Sequence, residues 1–99
     1  MDARTETELN EATATGKALV DFWATWCGPC QMMGRAIEEE LAPSMPDLKI
    51  VKVNVDEAPE LAAKFGVVSI PSIFCFKNGA RCGEFVGVTD CDEIRRAFG

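Results

Sequence analysis

The chain has 99 residues, of which 47% are hydrophobic and 26% are charged. That length suits one domain over residues 1–99 with a single core, because such a chain buries roughly 60–70% of the surface that it exposes when unfolded. Sixteen acidic residues against ten basic ones give a net charge of −6, which disfavours nucleic acid and anionic membranes as partners, since both bind basic surfaces.

The opening of the sequence resembles neither a signal peptide nor a membrane span. Residues 1–8 are polar and acidic, and no later segment has the length of a span. We therefore expect a cytoplasmic protein. Five cysteines in so hydrophobic a chain favour a packed core over a secreted disulfide scaffold. The absence of histidine excludes Cys-His catalysis and Cys₂His₂ zinc sites.

The first two predicted elements are a helix and a strand. Residues 5–14 read as a helix whose only large apolar residue is Leu9. Residues 18–23 are an apolar run interrupted only by Asp21, as expected for a strand covered on both faces. Burial should raise the pKa of Asp21 and make it a proton acceptor near neutral pH. The alternative is an exposed carboxylate at a strand end.

Two cysteines follow this strand in the segment Trp26-Cys27-Gly28-Pro29-Cys30, and a helical pattern begins there. At a helix N-terminus the pKa of a cysteine in a C-x-x-C pair falls from about 8.5 to between roughly 3.5 and 7.5. Pro29 fits an early helical position, and Gly28 puts no side chain near the sulfurs. The pair is suited to disulfide chemistry or to metal binding; the alternative is two unreactive structural cysteines.

Beyond the cysteines, a helix over about residues 30–42 is expected to end before Pro43, and a strand over residues 48–55 follows. If this strand lies parallel to the first one, Lys52 projects toward the face that carries Asp21 and influences its titration. The alternative is a lysine whose stem reaches solvent.

A short helix over residues 56–66 precedes the last strands. The strands over residues 72–77 and 80–86 flank an Asn-Gly turn, which is a strong hairpin signal. Counting outward from the turn pairs Cys75 with Cys82, so a second redox pair is possible. Alternatively, these are small buried hydrophobes, or a bulge breaks the register. A terminal helix follows, in which Cys91 is expected to be a free thiol.

Two segments resemble the signatures of the thioredoxin family. Residues 21–30 read Asp-Phe-Trp-Ala-Thr-Trp-Cys-Gly-Pro-Cys, and residues 69–72 read Ser-Ile-Pro-Ser, with Phe-Lys-Asn-Gly after them. The similarity runs from about Lys17 to the end. It implies an α/β thioredoxin fold, a mixed sheet of about four strands flanked by helices. The family's usual first strand is missing, which predicts a more exposed sheet edge, and Arg35 replaces the usual helix proline.

The resemblance also implies a role for each residue of the active site. Cys27, exposed at the helix start, is expected to attack a disulfide in a target protein, and Cys30, shielded one turn further along, to resolve the mixed disulfide. Asp21, supported by Lys52, would accept the proton of Cys30. The bond before Pro71 is expected to be cis, opposite the cysteines. The expected substrate-binding residues are Trp23, Trp26, Gly28, Pro29, Val68, Ile70, Pro71 and Gly87.

The function implied by the resemblance is that of a protein-disulfide reductase and electron carrier. The Gly-Pro pair between the cysteines resembles that of the reducing members, for which about −270 mV is typical. A flavin-containing thioredoxin reductase would restore the dithiol with NADPH, and the protein itself is expected to bind no cofactor.

Two other classes of function remain open. A metal-binding module would use Cys27 and Cys30 with Cys75 and Cys82, although the hairpin thiols would have to reach the helix end. A binding adaptor would keep the fold without turnover. Metal content of the purified protein tests the first alternative, and insulin reduction by a Cys27→Ser variant tests the second.

Overall fold

The computed structural model describes residues 1–99 and contains four strands and five helices. The strands are Lys17–Trp23 (β1), Lys49–Asn54 (β2), Ser72–Lys77 (β3) and Ala80–Val86 (β4). The helices are Glu6–Thr13 (α1), Gly28–Ala36 (α2), Ala42–Ser44 (α3), Pro59–Lys64 (α4) and Cys91–Ala97 (α5). None of them combines the length and the apolar character needed to cross a membrane.

The strands form one mixed sheet in the order β2-β1-β3-β4. β1 runs parallel to β2 and antiparallel to β3, and β3 pairs with β4 as a hairpin. The carboxyl ends of the parallel strands β1 and β2 therefore lie at one edge of the sheet, where α2 begins after β1. This arrangement confirms the predicted α/β fold with a four-stranded mixed sheet.

Residues 1–3 lie along the outer edge of β2. The N–H of Ala3 donates to the carbonyl of Lys52 at 2.9 Å, and the N–H of Lys52 donates to the carbonyl of Met1 at 2.8 Å. Asp2 forms an isolated parallel bridge with Lys52. The missing first strand predicted an exposed sheet edge. That edge, β2, is partly covered by residues 1–3, although this segment is shorter than an ordinary strand.

Helices cover both faces of the sheet. On one face, Phe22 and Phe74 pack in a core completed by side chains from α1 and α4. On the other face, Leu19 packs with Met33 of α2 and with residues of α5. Because β1 is buried on both faces, its apolar run is continuous except for Asp21, whose side chain has the same parity as Leu19.

The helix after the cysteines is longer and less regular than predicted. α2 continues into a π turn at Ile37–Leu41 and then into α3, which contains Pro43. The prediction that the helix ends before Pro43 is therefore wrong. Proline offers no N–H and crowds the carbonyl one turn earlier, and the wider π turn comes just before it. The carbonyl of Glu40 in that turn accepts a hydrogen bond from Nη2 of Arg95 at 3.3 Å.

A β-bulge changes the pairing of the hairpin. Cys75 faces Gly83, so the predicted pairing of Cys75 with Cys82 is wrong by one residue. The extra residue in β4 turns Phe85 into the core beneath α2 and α5 and leaves Glu84 exposed. In a regular hairpin without the bulge, Glu84 would point into the core and Phe85 into solvent, because a one-residue slip moves every side chain to the other face.

Candidate active site

Cys27 and Cys30 are joined by a disulfide at the N-terminus of α2, with their Cα atoms 5.2 Å apart. Cys27 is the N-cap residue, and its Sγ accepts a hydrogen bond from the N–H of Cys30 at 3.2 Å. Pro29 lies in the first turn, where its missing N–H costs no helical hydrogen bond. A sulfur at the positive end of a helix is in a position that stabilises a thiolate.

Both cysteines are nearly covered in this disulfide form. Cys27 is 6% exposed and Cys30 is 3% exposed, so the expected contrast between an exposed Cys27 and a shielded Cys30 is small. The cause is local packing, because the two cysteines form a cluster with Ala24, against which Trp23 and Ile70 pack. What distinguishes Cys27 is its place before the first turn of α2.

A cis-proline loop lies against the disulfide. The bond between Ile70 and Pro71 is cis, as predicted. The carbonyl oxygen of Ile70 lies 3.9 Å from Sγ of Cys27, and the N–H of Gly87 donates to the carbonyl of Pro71 at 2.8 Å. Three segments that are far apart in the sequence therefore meet at one end of the sheet.

Exposed apolar side chains accompany the disulfide. Trp26 is 68% exposed and Val68 is 96% exposed; Gly28 and Pro29 are exposed as well. The indole Nε1 of Trp26 donates to Oδ2 of Asp56 at 2.7 Å, a contact that sequence reasoning missed. Topology offered a signal, because Trp26 follows β1, Asp56 follows β2, and the ends of adjacent parallel strands meet at one sheet edge.

Asp21 is the buried charged group beneath this end of the sheet. Its residue is 1% exposed, and its Oδ1 has no hydrogen-bond partner. Burial raises the pKa of Asp21 to about 6, and the positive charge of Lys52 opposes that rise. Lys52 lies directly across from Asp21 in the β1–β2 register, although the two side chains form no direct ion pair.

Trp23 lies against Lys52 and is only half-buried. The Lys52 ammonium is 4.6 Å from the centre of the indole ring, and the indole N–H is buried without a partner. Trp23 and Lys52 line a groove of about 360 Å³ with Cys30, Gly34 and Arg35. Gly34 lies beside Lys52, since a Cβ at this position would be 3.9 Å from Nζ, an ordinary van der Waals separation. The groove gives solvent a route to Cys30 on the side of α2.

The other three cysteines are free thiols. Cys75 is fully buried in the core beneath α2 and α5, and Cys82 packs against the same core. Cys91 donates from its Sγ to the carbonyl of Ala36 at 3.7 Å. No three histidine, cysteine, aspartate or glutamate side chains come together in a metal-binding arrangement, which gives the metal-binding alternative no set of ligands.

A cysteine pair that closes a disulfide at a helix N-terminus, against a cis-proline loop, defines a thiol-disulfide oxidoreductase. The family model for thioredoxin matches residues 2–98. The chain therefore belongs to the thioredoxin family, and it carries out dithiol-disulfide exchange.

Individual relatives agree with this assignment. The chain is 41% identical over 90 residues to thioredoxin of Listeria monocytogenes, covering 91% of this chain and 87% of that one. It is 43% identical over 83 residues to thioredoxin of Staphylococcus aureus, covering 84% and 80%. The crystal structure of oxidised mitochondrial thioredoxin 3 from Saccharomyces cerevisiae matches with a TM-score of 0.85 at 31% identity, covering 97% and 90%.

Proposed function

We propose that the chain reduces disulfides in other proteins, with Cys27 as the nucleophile and Cys30 as the resolving thiol. The observation that carries this proposal is the position of the Cys27 sulfur. As the N-cap of α2, it accepts a hydrogen bond from the N–H of Cys30 at 3.2 Å. Backbone N–H groups at a helix N-terminus stabilise negative charge. Once reduced, Cys27 is therefore the sulfur better suited to exist as a thiolate.

The exchange then runs in two steps that conserve electrons. The Cys27 thiolate attacks one sulfur of the target disulfide, and the other target sulfur leaves as a thiolate. Cys30 loses its proton and attacks Sγ of Cys27, which closes the Cys27–Cys30 disulfide and releases the second target sulfur. The target gains two electrons, and the cysteine pair loses them.

Asp21 is the proposed acceptor of the Cys30 proton, through water, and Lys52 supports it electrostatically. A pKa of about 6 leaves Asp21 mostly ionised at neutral pH, yet more basic than an exposed aspartate. The groove beside Cys30 and Lys52 supplies the solvent through which the proton passes to or from the buried carboxylate.

The proposed target surface surrounds the disulfide, and its exposed residues do not line this groove. Trp26 and Val68 supply its exposed apolar area, and the hydrogen bond to Asp56 fixes the indole plane. The cis-proline loop offers backbone groups to an extended target segment. The residues assigned to this surface are Trp26, Gly28, Pro29, Val68, Ile70, Pro71 and Gly87, with Trp23 supporting the disulfide from below.

We propose that a thioredoxin reductase reduces the Cys27–Cys30 disulfide after each exchange. The protein would then act in the cytoplasm as an electron carrier between that reductase and its targets. Support comes from the Gly-Pro pair between the cysteines, which resembles the reducing members of the family. Three free thiols elsewhere in the chain fit a reducing compartment. Oxidation of NADPH by a bacterial thioredoxin reductase in the presence of this protein measures that step directly.

The nucleophile and resolving roles are tested by insulin reduction with dithiothreitol, followed as turbidity. Cys27→Ser should reduce the rate to that of dithiothreitol alone. Cys30→Ser should instead form a mixed disulfide with insulin through Cys27, visible by mass spectrometry without reductant. Cys91→Ser is the matched control and should leave the rate unchanged. Equal rates for wild type and Cys27→Ser would favour the adaptor alternative and end the enzyme proposal.

A further inference from the structure

The hairpin carries two thiols that the proposed exchange reaction does not use. Cys75 lies in the middle of β3 and is fully buried, whereas Cys82 lies in β4 and is half-buried. Both pack against the core beneath α2 and α5, so both side chains are on the same face of the sheet. Neither is bonded in this structure.

The bulge keeps the two thiols adjacent. Cys75 faces Gly83, the direct neighbour of Cys82, and in a bulge two residues of one strand oppose one residue of the other. Directly paired residues in antiparallel strands have Cα atoms about 4.5–5.5 Å apart. Disulfides span Cα separations of about 4.4–6.8 Å. Cys82 is one residue further along the strand, and consecutive Cα atoms are about 3.8 Å apart, so its Cα is expected about 6–6.7 Å from that of Cys75, near the upper end of the disulfide range.

Gly83 makes this arrangement possible. A Cβ at this position would lie 3.5 Å from Cβ of Cys75 and 2.7 Å from Cβ of Ala97 in α5. Because glycine has no side chain, nothing from this position separates the two thiols. The charges of the two groups are coupled as well, since Cys82 contributes to the raised pKa of Cys75.

We propose that Cys75 and Cys82 form a second oxidisable pair, which closes a cross-strand disulfide when the protein meets a small disulfide such as glutathione disulfide. Cys82 attacks one sulfur of glutathione disulfide, and one glutathione leaves as a thiolate. The Cys75 thiol then attacks Sγ of Cys82, and its proton passes to the second glutathione, which leaves as the thiol. Two electrons pass from the cysteine pair to glutathione disulfide, which becomes two glutathione thiols.

The environments of the two thiols set this order. Burial raises the pKa of Cys75 to about 12, so that thiol is both inaccessible and rarely ionised. Burial also raises the pKa of Cys82, but the Lys77 ammonium opposes that rise, and the residue is partly open to solvent. Thiolate fraction and access decide which thiol attacks first. Cys82 is therefore the entry point and Cys75 the resolving thiol.

The test uses the full chain with Cys91→Ser, which leaves two candidate pairs. The reduced protein is incubated with a large excess of glutathione disulfide, quenched in acid and weighed by mass spectrometry. The expected loss is four hydrogen atoms, two from each pair. Trypsin cleaves after Lys77 and Arg81, so digestion without reductant should release peptide 65–77 joined to peptide 82–95.

Two variants in the same background assign the order of attack. Cys82→Ser should lose only two hydrogen atoms and take up no glutathione, because Cys75 is inaccessible. Cys75→Ala should retain one glutathione on Cys82, and Cys75→Ser serves the same purpose if the alanine variant does not fold. Unchanged insulin reduction confirms that each variant is folded.

The proposal is wrong if the parent protein retains two free thiols in peptides 65–77 and 82–95 after the Cys27–Cys30 pair has closed. It is equally wrong if the parent holds a stable glutathione on Cys82 and yields no joined peptides. Neither result affects the proposed reductase function, which is measured separately by insulin turbidity.

Discussion

Replacing Asp21 by asparagine should stabilise the protein, and only at a pH where the carboxyl group is ionised. The side chain is almost completely buried and its Oδ1 has no hydrogen-bond partner, so the amide loses no contact at that atom. What the substitution removes is the cost of holding a negative charge away from water. That cost is visible as the rise in the pKa of Asp21 from 3.8 to about 6.

The size of the effect follows from linkage. A carboxyl group whose pKa is higher in the folded protein binds more protons there than in the unfolded chain. Its contribution to stability is therefore complete at low pH and falls as the pH rises from 3.8 to about 6. Multiplying the difference between these two pKa values by 1.36 kcal/mol gives a cost of about 3 kcal/mol above that window.

Urea unfolding of the disulfide form, followed by tryptophan fluorescence, measures this directly. At about pH 7.5, Asp21→Asn should raise the free energy of unfolding by about 3 kcal/mol, and at about pH 4 by well under 1 kcal/mol. All other titrating groups are common to both proteins and cancel in the difference. Lys52→Met is the matched control: since the Lys52 charge lowers the pKa of Asp21, its removal should enlarge the pH dependence. An equal gain at both pH values would refute the reasoning.

Two further substitutions test the packing of the hairpin by urea unfolding. The Arg81 guanidinium lies 5.0 Å from the ring centre of Phe65 and 4.9 Å from that of Phe74, so Arg81→Ala should cost about 1 kcal/mol; an unchanged stability would contradict a cation-π contribution. Gly83→Ala should cost about 1–3 kcal/mol because the new Cβ would lie 2.7 Å from Cβ of Ala97. Adding Ala97→Gly to Gly83→Ala should recover part of the lost stability. If it recovers none, the loss does not come from a clash with Ala97.

The strands and the cysteine pair could be predicted because their signals are local, whereas the cis bond before Pro71 was expected from the resemblance to the thioredoxin family. The hairpin strands were predicted with their observed limits, Ser72–Lys77 and Ala80–Val86, because an Asn-Gly turn fixes where a hairpin reverses. The placement of Cys27 at a helix N-terminus likewise needed only a strand that ends where a helical pattern starts.

Other features depend on tertiary contacts that no local pattern contains. The bulge interrupts the regular hydrogen bonding between β3 and β4, but it buries Phe85 and exposes Glu84. The benefit of burying Phe85 depends on the core beneath α2 and α5, which no local pattern describes. The contact between Trp26 and Asp56 joins two loops that become neighbours only after β1 and β2 pair. The π turn before Pro43 is likewise accompanied by a hydrogen bond from α5.

Stability and reactivity compete in the same carboxyl group. A carboxylate with a pKa of about 6 is a base roughly a hundredfold stronger than an exposed aspartate, and it is still mostly ionised at neutral pH. The burial that strengthens it as a proton acceptor for Cys30 is the same burial that destabilises the fold. If Asp21 takes the Cys30 proton, Asp21→Asn must be more stable and slower in resolving the mixed disulfide. A variant that is more stable and equally fast would remove Asp21 from the mechanism while leaving both cysteines in their roles.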